Sequence, residues 1–294
     1  MNYNSLKKKF YKNGYLYKFR AISAPKATFL LNQFNQNFQN TKDILKEELI
    51  FRPDMVFKSF RELAENKKIL TVVKKILGKE VVCWYTMLFY KQNKNYVSFH
   101  QDLKYWKFKN DKCLTVSVAL TKSNKKNGCL SVIKGSHKKN YEHKLQLFDK
   151  KNLLSSNQSV NISKLSKPFL FSLSPGEFTV HHGDIIHGSF PNYTSSPRVL
   201  CALRYCAADN PSEIYKYGIY LGNFKKRRIK NFKLLSNFKN DFTKKQLEIR
   251  ELLIRQNIKY QLQKRIKNKL FLKFIIFLLT KNVRFFIYKF YKYF

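Results

Sequence analysis

From about residue 80 to residue 206 the chain is a succession of short runs rich in β-branched and aromatic residues, and no other feature narrows its fold as much. VVCWYTMLFY, YVSFHQD, CLTVSVAL, GCLSVI, PFLFSL, GEFTVHH, DIIHGSF and RVLCALRYC are each the length of one strand, parted by Gly, Asn, Lys, Ser and Pro clusters. That is a strand-and-turn pattern. At least seven short strands joined by loops of variable length predict a sandwich or barrel. With 44% apolar residues and 27 Phe, the 294-residue chain can bury a substantial core. Wholesale disorder is therefore not expected.

The flanks read as helix. Pro25 can open a helix in which Leu30, Leu31, Phe34 and Phe38 recur at helical spacing. A second runs from Asp54 to Leu77 through Phe57, Phe60, Leu63, Ile69, Val72, Val73 and Ile76, and stops at Gly78. After KKRRIK a long helical pattern starts near Phe242, with Ile254, Ile258, Leu262, Ile266 and Leu270 four apart among Lys, Arg and Gln. Such a basic helix with one apolar stripe can dock on the β-domain, on a second subunit, or on an anionic membrane surface. The expected division is a mainly helical part over 1–79, a β-core over 80–212 and a basic, amphipathic helical extension over 213–294.

Charge and cysteines bound the remaining classes. There are 58 Lys and Arg against 18 Asp and Glu, a net charge of +40, which attracts polyanions. Lys, Asn, Ile, Phe and Tyr are all abundant, as AT-rich coding DNA would produce, so part of the excess reads as compositional bias. Residues 223–294 nevertheless carry 21 basic and 3 acidic residues, a skew that bias explains less well. No nucleic-acid motif accompanies the charge. The five cysteines form no Cys-x-x-Cys pair and read as reduced core thiols. The N-terminal run has no apolar h-region, and the longest apolar stretch, Leu270 to Leu279, is broken by Lys273. Those features predict a cytoplasmic protein, with the tail able to bring it to the inner face of a membrane.

The chemistry sits in two runs. In Tyr96-Val97-Ser98-Phe99-His100-Gln101-Asp102, a strand would point His100 and Asp102 to one face, with a reach suited to a metal ion. Buried there unpaired, an imidazole and a carboxylate would be costly. Three of the six histidines lie in the second run, Glu177 to Ser189, and its His187 stands 85 residues beyond Asp102. Two histidines and one carboxylate leave metal positions open, which suits Fe(II) oxygenases better than closed, sulfur-rich structural zinc. Arg198 follows His187 by eleven residues across PNYTSSP and can grip a carboxylate in two-pronged fashion. Ser189, on the His187 face by period two, can add a hydrogen bond. His181 and His182 face opposite sides of a strand. Tyr105 and Trp106 suit either a pocket wall or the core.

The segments YTMLFYK, SFHQDLKYW, LTVSVALTKSNKKNGCLSVIKGSHK and HHGDIIHGSFPNYTSSPRVLCALRY resemble the phytanoyl-CoA dioxygenase family of iron and 2-oxoglutarate enzymes over roughly residues 80–206. The resemblance implies a mainly β fold, a double-stranded β-helix (jelly roll, cupin-like), with helices packed outside it. It implies Fe(II) held by His100, Asp102 and His187, and 2-oxoglutarate held at its distal carboxylate by Arg198 with Ser189. Gln101 follows as a polar group near the cosubstrate. The implied reaction consumes O2 and 2-oxoglutarate, releases succinate and CO2, and hydroxylates a small-molecule or acyl substrate. Related halogenases replace the carboxylate ligand with a small residue; Asp102 is present here, which favours hydroxylation. The family's Trp on the LTVSVAL strand is replaced by Ser117 or Val118. The alternative is a non-catalytic jelly-roll module binding an anionic sugar or lipid.

Overall fold

The β-rich run folds into two facing sheets in the computed structural model, which describes residues 3–40, 50–145, 149–154, 158–222 and 229–265. The strands are β1 (Tyr15–Arg20), β2 (Val81–Lys91), β3 (Val97–His100), β4 (Cys113–Ala119), β5 (Ser131–Val132), β6 (Lys144–Leu145), β7 (Gln158–Ser159), β8 (Phe169–Leu170), β9 (Glu177–His182), β10 (His187–Ser189), β11 (Arg198–Ala207), β12 (Tyr217–Tyr220) and β13 (Lys233–Leu234). A seven-stranded sheet has the order β1-β9-β4-β11-β2-β12-β13, and a four-stranded sheet the order β3-β10-β5-β8. Every pairing is antiparallel except β12 with β13. The fold is the expected double-stranded β-helix with helices outside. All eight runs singled out in the sequence supply a strand. The NGYLY segment adds β1, so the N-terminal part contributes an edge strand to the large sheet as well as helices.

Side-chain alternation divides the large sheet into two faces. Along β11, Val199, Cys201, Leu203 and Tyr205 join the core under the helices. Arg198, Leu200, Ala202 and Arg204 turn the other way and line a cavity between the sheets. Likewise on β4, Leu114, Val116 and Val118 meet the helices, and Thr115 and Ser117 the cavity. Period-two geometry thus gives one strand both a core face and a site face.

Five helices cover the outer face of that sheet, and a single helical turn packs on its other face through Trp106 against Val82 and Trp84. They are α1 (Tyr3–Asn13), α2 (Ala24–Asn40), α3 (Lys58–Ala64), α4 (Lys67–Leu77), the single-turn α5 (Leu103–Trp106) and α6 (Lys244–Arg265). The single helix predicted over Asp54–Leu77 is instead a 3-10 turn at Pro53–Met55 followed by α3 and α4. Asn66 causes the break: its side chain accepts hydrogen bonds from the Lys68 and Ile69 amides at 3.0 and 3.2 Å, capping a new helix. Beneath α3, the buried Arg52 guanidinium makes a two-pronged pair with Asp54 at 2.9 and 2.8 Å and donates to the Trp84 carbonyl of β2 at 3.1 Å. All five cysteines are buried and free.

The first half of α6 docks on the helical face. Leu247, Ile249 and Leu253 pack against its core, and Arg250 donates to the Phe51 carbonyl at 2.9 Å. Of the predicted apolar stripe, Ile254 is half-buried; Ile266 and Leu270, like the LFLKFIIFLL run, lie outside the described residues. Among the described residues no helix is long and apolar enough to cross a membrane.

Candidate metal centre

His100 and His187 meet because their strands pair directly. β3 and β10 run antiparallel with His187 opposite His100, and the ring centroids lie 4.3 Å apart. Gly188 allows this approach: a Cβ there would come within 2.8 Å of the Val97 carbonyl and 2.9 Å of the Phe99 ring. His100 Nδ1 bonds the Ser98 carbonyl at 2.8 Å, and His187 Nδ1 bonds the Ile185 carbonyl at 3.0 Å. Each carbonyl takes a proton from Nδ1 and so fixes the tautomer that presents Nε2 as a lone pair. Ser136, in the segment Gly135-Ser136-His137, holds the approach to β10 by accepting from the Ile186 amide at 2.8 Å.

Asp102 reaches the same point by another route. The strand predicted through it ends at His100, and Asp102 takes helical dihedrals just before α5. The Asp102 and Leu103 amides both donate to the Gly183 carbonyl at 3.0 Å, which folds the carboxylate back toward the histidines. Its oxygens lie 3.3 Å from His100 Nε2, 3.6 Å from His187 Nε2 and 3.6 Å from Arg204. Burial pushes the Asp102 carboxyl up, but Arg204 and the two imidazoles outweigh it and hold the group well below the usual carboxylate range. Burial, then the neighbouring His100, lowers His187 to about 4. At neutral pH the set is one carboxylate and a neutral His187 lone pair beside the fixed His100 tautomer. One ligand atom from each of the three residues lies within 4.8 Å of the others, and no sulfur takes part. Two imidazoles and a carboxylate with the remaining directions free fit Fe(II).

The cavity continues from this cluster to Arg198 and Ser189, both buried in its lining. Arg198 Nη2 donates to the Gly128 carbonyl at 3.1 Å and contacts Ser189 Oγ at 3.4 Å, while its Nε has no partner. His187 and Arg198 belong to opposite sheets, so the eleven-residue link crosses the sandwich. Gln101 does not reach the cavity. Its amide donates to the Lys139 and Asp184 carbonyls at 2.8 and 2.6 Å and accepts from the Tyr141 amide at 2.9 Å, a loop tether in place of the expected cosubstrate contact. Ser117 takes the cavity position in LTVSVAL and Val118 the helix side. Trp106 packs in a core cluster with Trp84.

Thr115 and Arg204 escaped the sequence reading, and His181 was placed only by its strand face. His181, Thr115 and Arg204 stand in register across β9, β4 and β11. Both ring nitrogens of His181, Thr115 Oγ1 and Arg204 Nε are buried without a partner. Arg204 is held by aromatic faces, with its guanidinium carbon 4.9 Å from the Trp106 centroid and 5.3 Å from that of Tyr85. Its even spacing from Arg198 was the available signal. Lys91, on β2 opposite Arg198, was missed too and lies behind the cavity lining, against Ser189. His182 faces outward toward Phe10, Tyr11 and His137.

The sequence profile of the family described as phytanoyl-CoA dioxygenase (PhyH) matches residues 10–200. A probable alpha-ketoglutarate-dependent hypophosphite dioxygenase from Stutzerimonas stutzeri is 26% identical over 180 residues, 60% of this chain. That match spans 62% of the relative's own length. Among solved structures, the non-heme monooxygenase ThoJ in its apo form superposes with a TM-score of 0.73 at 19% identity, over 87% of this chain and 99% of its own. The epimerase SnoN, in complex with Fe3+, alpha ketoglutarate and nogalamycin RO, gives 0.58 at 16% identity, over 71% and 85%.

Proposed function

The chain belongs to the phytanoyl-CoA dioxygenase family, and on that premise we propose that it is an Fe(II)- and 2-oxoglutarate-dependent dioxygenase that hydroxylates a small molecule. One observation carries the reading. Two imidazoles with Nδ1 tied to carbonyls aim Nε2 at a carboxylate inside a cavity that continues to a buried arginine. His100, Asp102 and His187 would hold the iron, and Arg198 with Ser189 the distal carboxylate of 2-oxoglutarate. When bound, iron and 2-oxoglutarate supply the oxidising chemistry: one atom of O2 leaves in succinate, with CO2 released, and the other enters the substrate. The protein's part is positioning and exclusion of water. Leu200 and Ala202, between Arg198 and Arg204 on the cavity face of β11, keep the two guanidinium ends apart. His181, Thr115 and Arg204 offer unpaired polar atoms near Asp102, which suits a small substrate with hydrogen-bond acceptors better than an apolar acyl chain. The hypophosphite named for the curated relative is such a molecule.

Anaerobic addition of Fe(II) and then 2-oxoglutarate should give a metal-to-ligand charge-transfer band, and admitting O2 should give succinate. Asp102→Ala and His100→Ala should lose both signals. Succinate formation surviving both substitutions would overturn the reading, and a wild-type protein with no band would favour the non-catalytic binding module. The reading extends to the basic tail: residues 266–294 carry seven basic and no acidic residues, which suits attachment to an anionic membrane face.

A further inference from the structure

Behind Ser189 lies a second buried cation. Lys91 is fully buried and stands opposite Arg198 in the β2–β11 ladder. Its amine lies 2.8 Å from the Gly128 carbonyl and 2.9 Å from Ser189 Oγ, and it also bonds the Phe190 carbonyl. Arg198 shares two of these partners, the Gly128 carbonyl and Ser189 Oγ. The cradle is tight: at Gly128, φ is +65°, and a Cβ would meet the Phe190 carbonyl at 2.0 Å and Lys91 Nζ at 2.4 Å. The ionisable groups facing Lys91 are Arg198 on β11 and Cys129 just before β5. Among the described residues no carboxylate forms an ion pair with either cation.

Counting hydrogens gives this cluster two states. The two carbonyls can only accept, so they take two Lys91 hydrogens in either state. A neutral amine then has a lone pair for its third partner, and Ser189 must donate its proton to Lys91. An ammonium donates to Ser189 Oγ instead, and the hydroxyl hydrogen is free to point into the cavity that Ser189 lines. Two like charges side by side and out of water are unfavourable, so without an anion the neutral amine is preferred. Burial, and after it Arg198, lowers Lys91 to about 6, whereas Arg198, lowered by burial to about 10, stays charged. A carboxylate brought to Arg198 reverses the balance.

We propose that Lys91 is a proton-linked positioning residue for the cosubstrate's distal carboxylate: it takes up one proton from solvent as the carboxylate binds, and thereby turns the Ser189 hydroxyl toward it. The inference rests on the 2-oxoglutarate reading above. Its sign is fixed: above pH 6 the free amine is neutral and the bound form charged, so binding consumes a proton and weakens as pH rises.

The test is anaerobic calorimetry of the Fe(II)-loaded full chain with 2-oxoglutarate, in buffers of different ionisation enthalpy, between pH 6.5 and 8.5. Wild type should take up close to one proton per ligand at pH 8, with Kd rising about tenfold per pH unit above pH 7. Lys91→Arg keeps the charge but cannot release it at these pH values, and should bind with no uptake and a flat pH profile. Lys91→Met, which cannot hold a proton, should show no uptake and bind about tenfold or more weakly. Wild-type binding without proton uptake overturns the proposal whether or not either variant folds. So does undiminished uptake in Lys91→Arg. No binding to wild type at all overturns the oxygenase reading, and this inference with it.

Discussion

Arg198 and Arg204 sit six residues apart on β11 and face one cavity, yet different neighbours hold them. Arg198 rests on a carbonyl and a hydroxyl, which a carboxylate ligand can join. Arg204 rests on Trp84, Tyr85 and Trp106 and faces Asp102. The prediction at this scale concerns Arg198. Arg198→Gln should weaken 2-oxoglutarate binding about 10- to 100-fold, the loss of one to two charge-assisted hydrogen bonds, while Fe(II) affinity stays within about twofold. Anaerobic titration of the charge-transfer band measures the first, and calorimetry with Fe(II) alone the second. His100, Asp102, His187 and Arg198 were legible because each carries an uncommon side chain at a fitting separation from the next, and Ser189 because it stands two residues from His187 on a strand. Lys91 was not: a lysine in a chain so rich in lysine carries no signal until the β2–β11 register sets it opposite Arg198. Gln101 misled for the converse reason. It lies between two candidate ligands in sequence, and its side chain leaves the other way.

At the scale of elements, β10 is three residues long and depends on what borders it. Ser136 accepts from the Ile186 amide and donates to the Ile133 carbonyl at 2.7 Å. Ser136→Ala would leave a buried amide unpaired. It should cost about 1–3 kcal/mol in urea unfolding and weaken Fe(II) binding measured by calorimetry, because His187 follows directly. β2 has a different anchor in Arg52 and Asp54. Burial raises the Asp54 carboxyl, but Arg52 and Thr86 prevail and hold it low. It therefore stabilises the fold above the ordinary carboxylate range, and the contribution is lost as pH falls through its depressed value. Asp54→Asn strands a buried guanidinium and should cost about 3–5 kcal/mol at pH 7. Its stability should also decline less between pH 5 and 3 than wild type, both read from denaturant midpoints. Strand positions were plain from the alternation of the runs. The helix break at Asn66 was not, because a single cap outweighs an apolar periodicity that continues through it.

For the whole molecule, charge and the C-terminal extension raise one question of design. Deleting 223–294 would remove Leu235, Leu247 and Leu253 from the face they cover, so a melting temperature several degrees lower is expected from that truncation. Deleting only 266–294 should reduce co-sedimentation with anionic vesicles at low salt. Equal partitioning of that truncation and the full chain would mean that the tail's charge does not act on membranes. By itself the sequence determined the jelly roll and singled out the candidate cluster of His100, Asp102 and His187 with Arg198 and Ser189, because local alternation and the separations between these residues survive without coordinates. Only the tertiary structure decided which sheet each residue joins and which neighbours share its face. Register between strands distant in sequence follows from packing of the whole chain, and it alone brings Lys91 to Arg198, aligns His181 with Thr115 and Arg204, and turns Gln101 away.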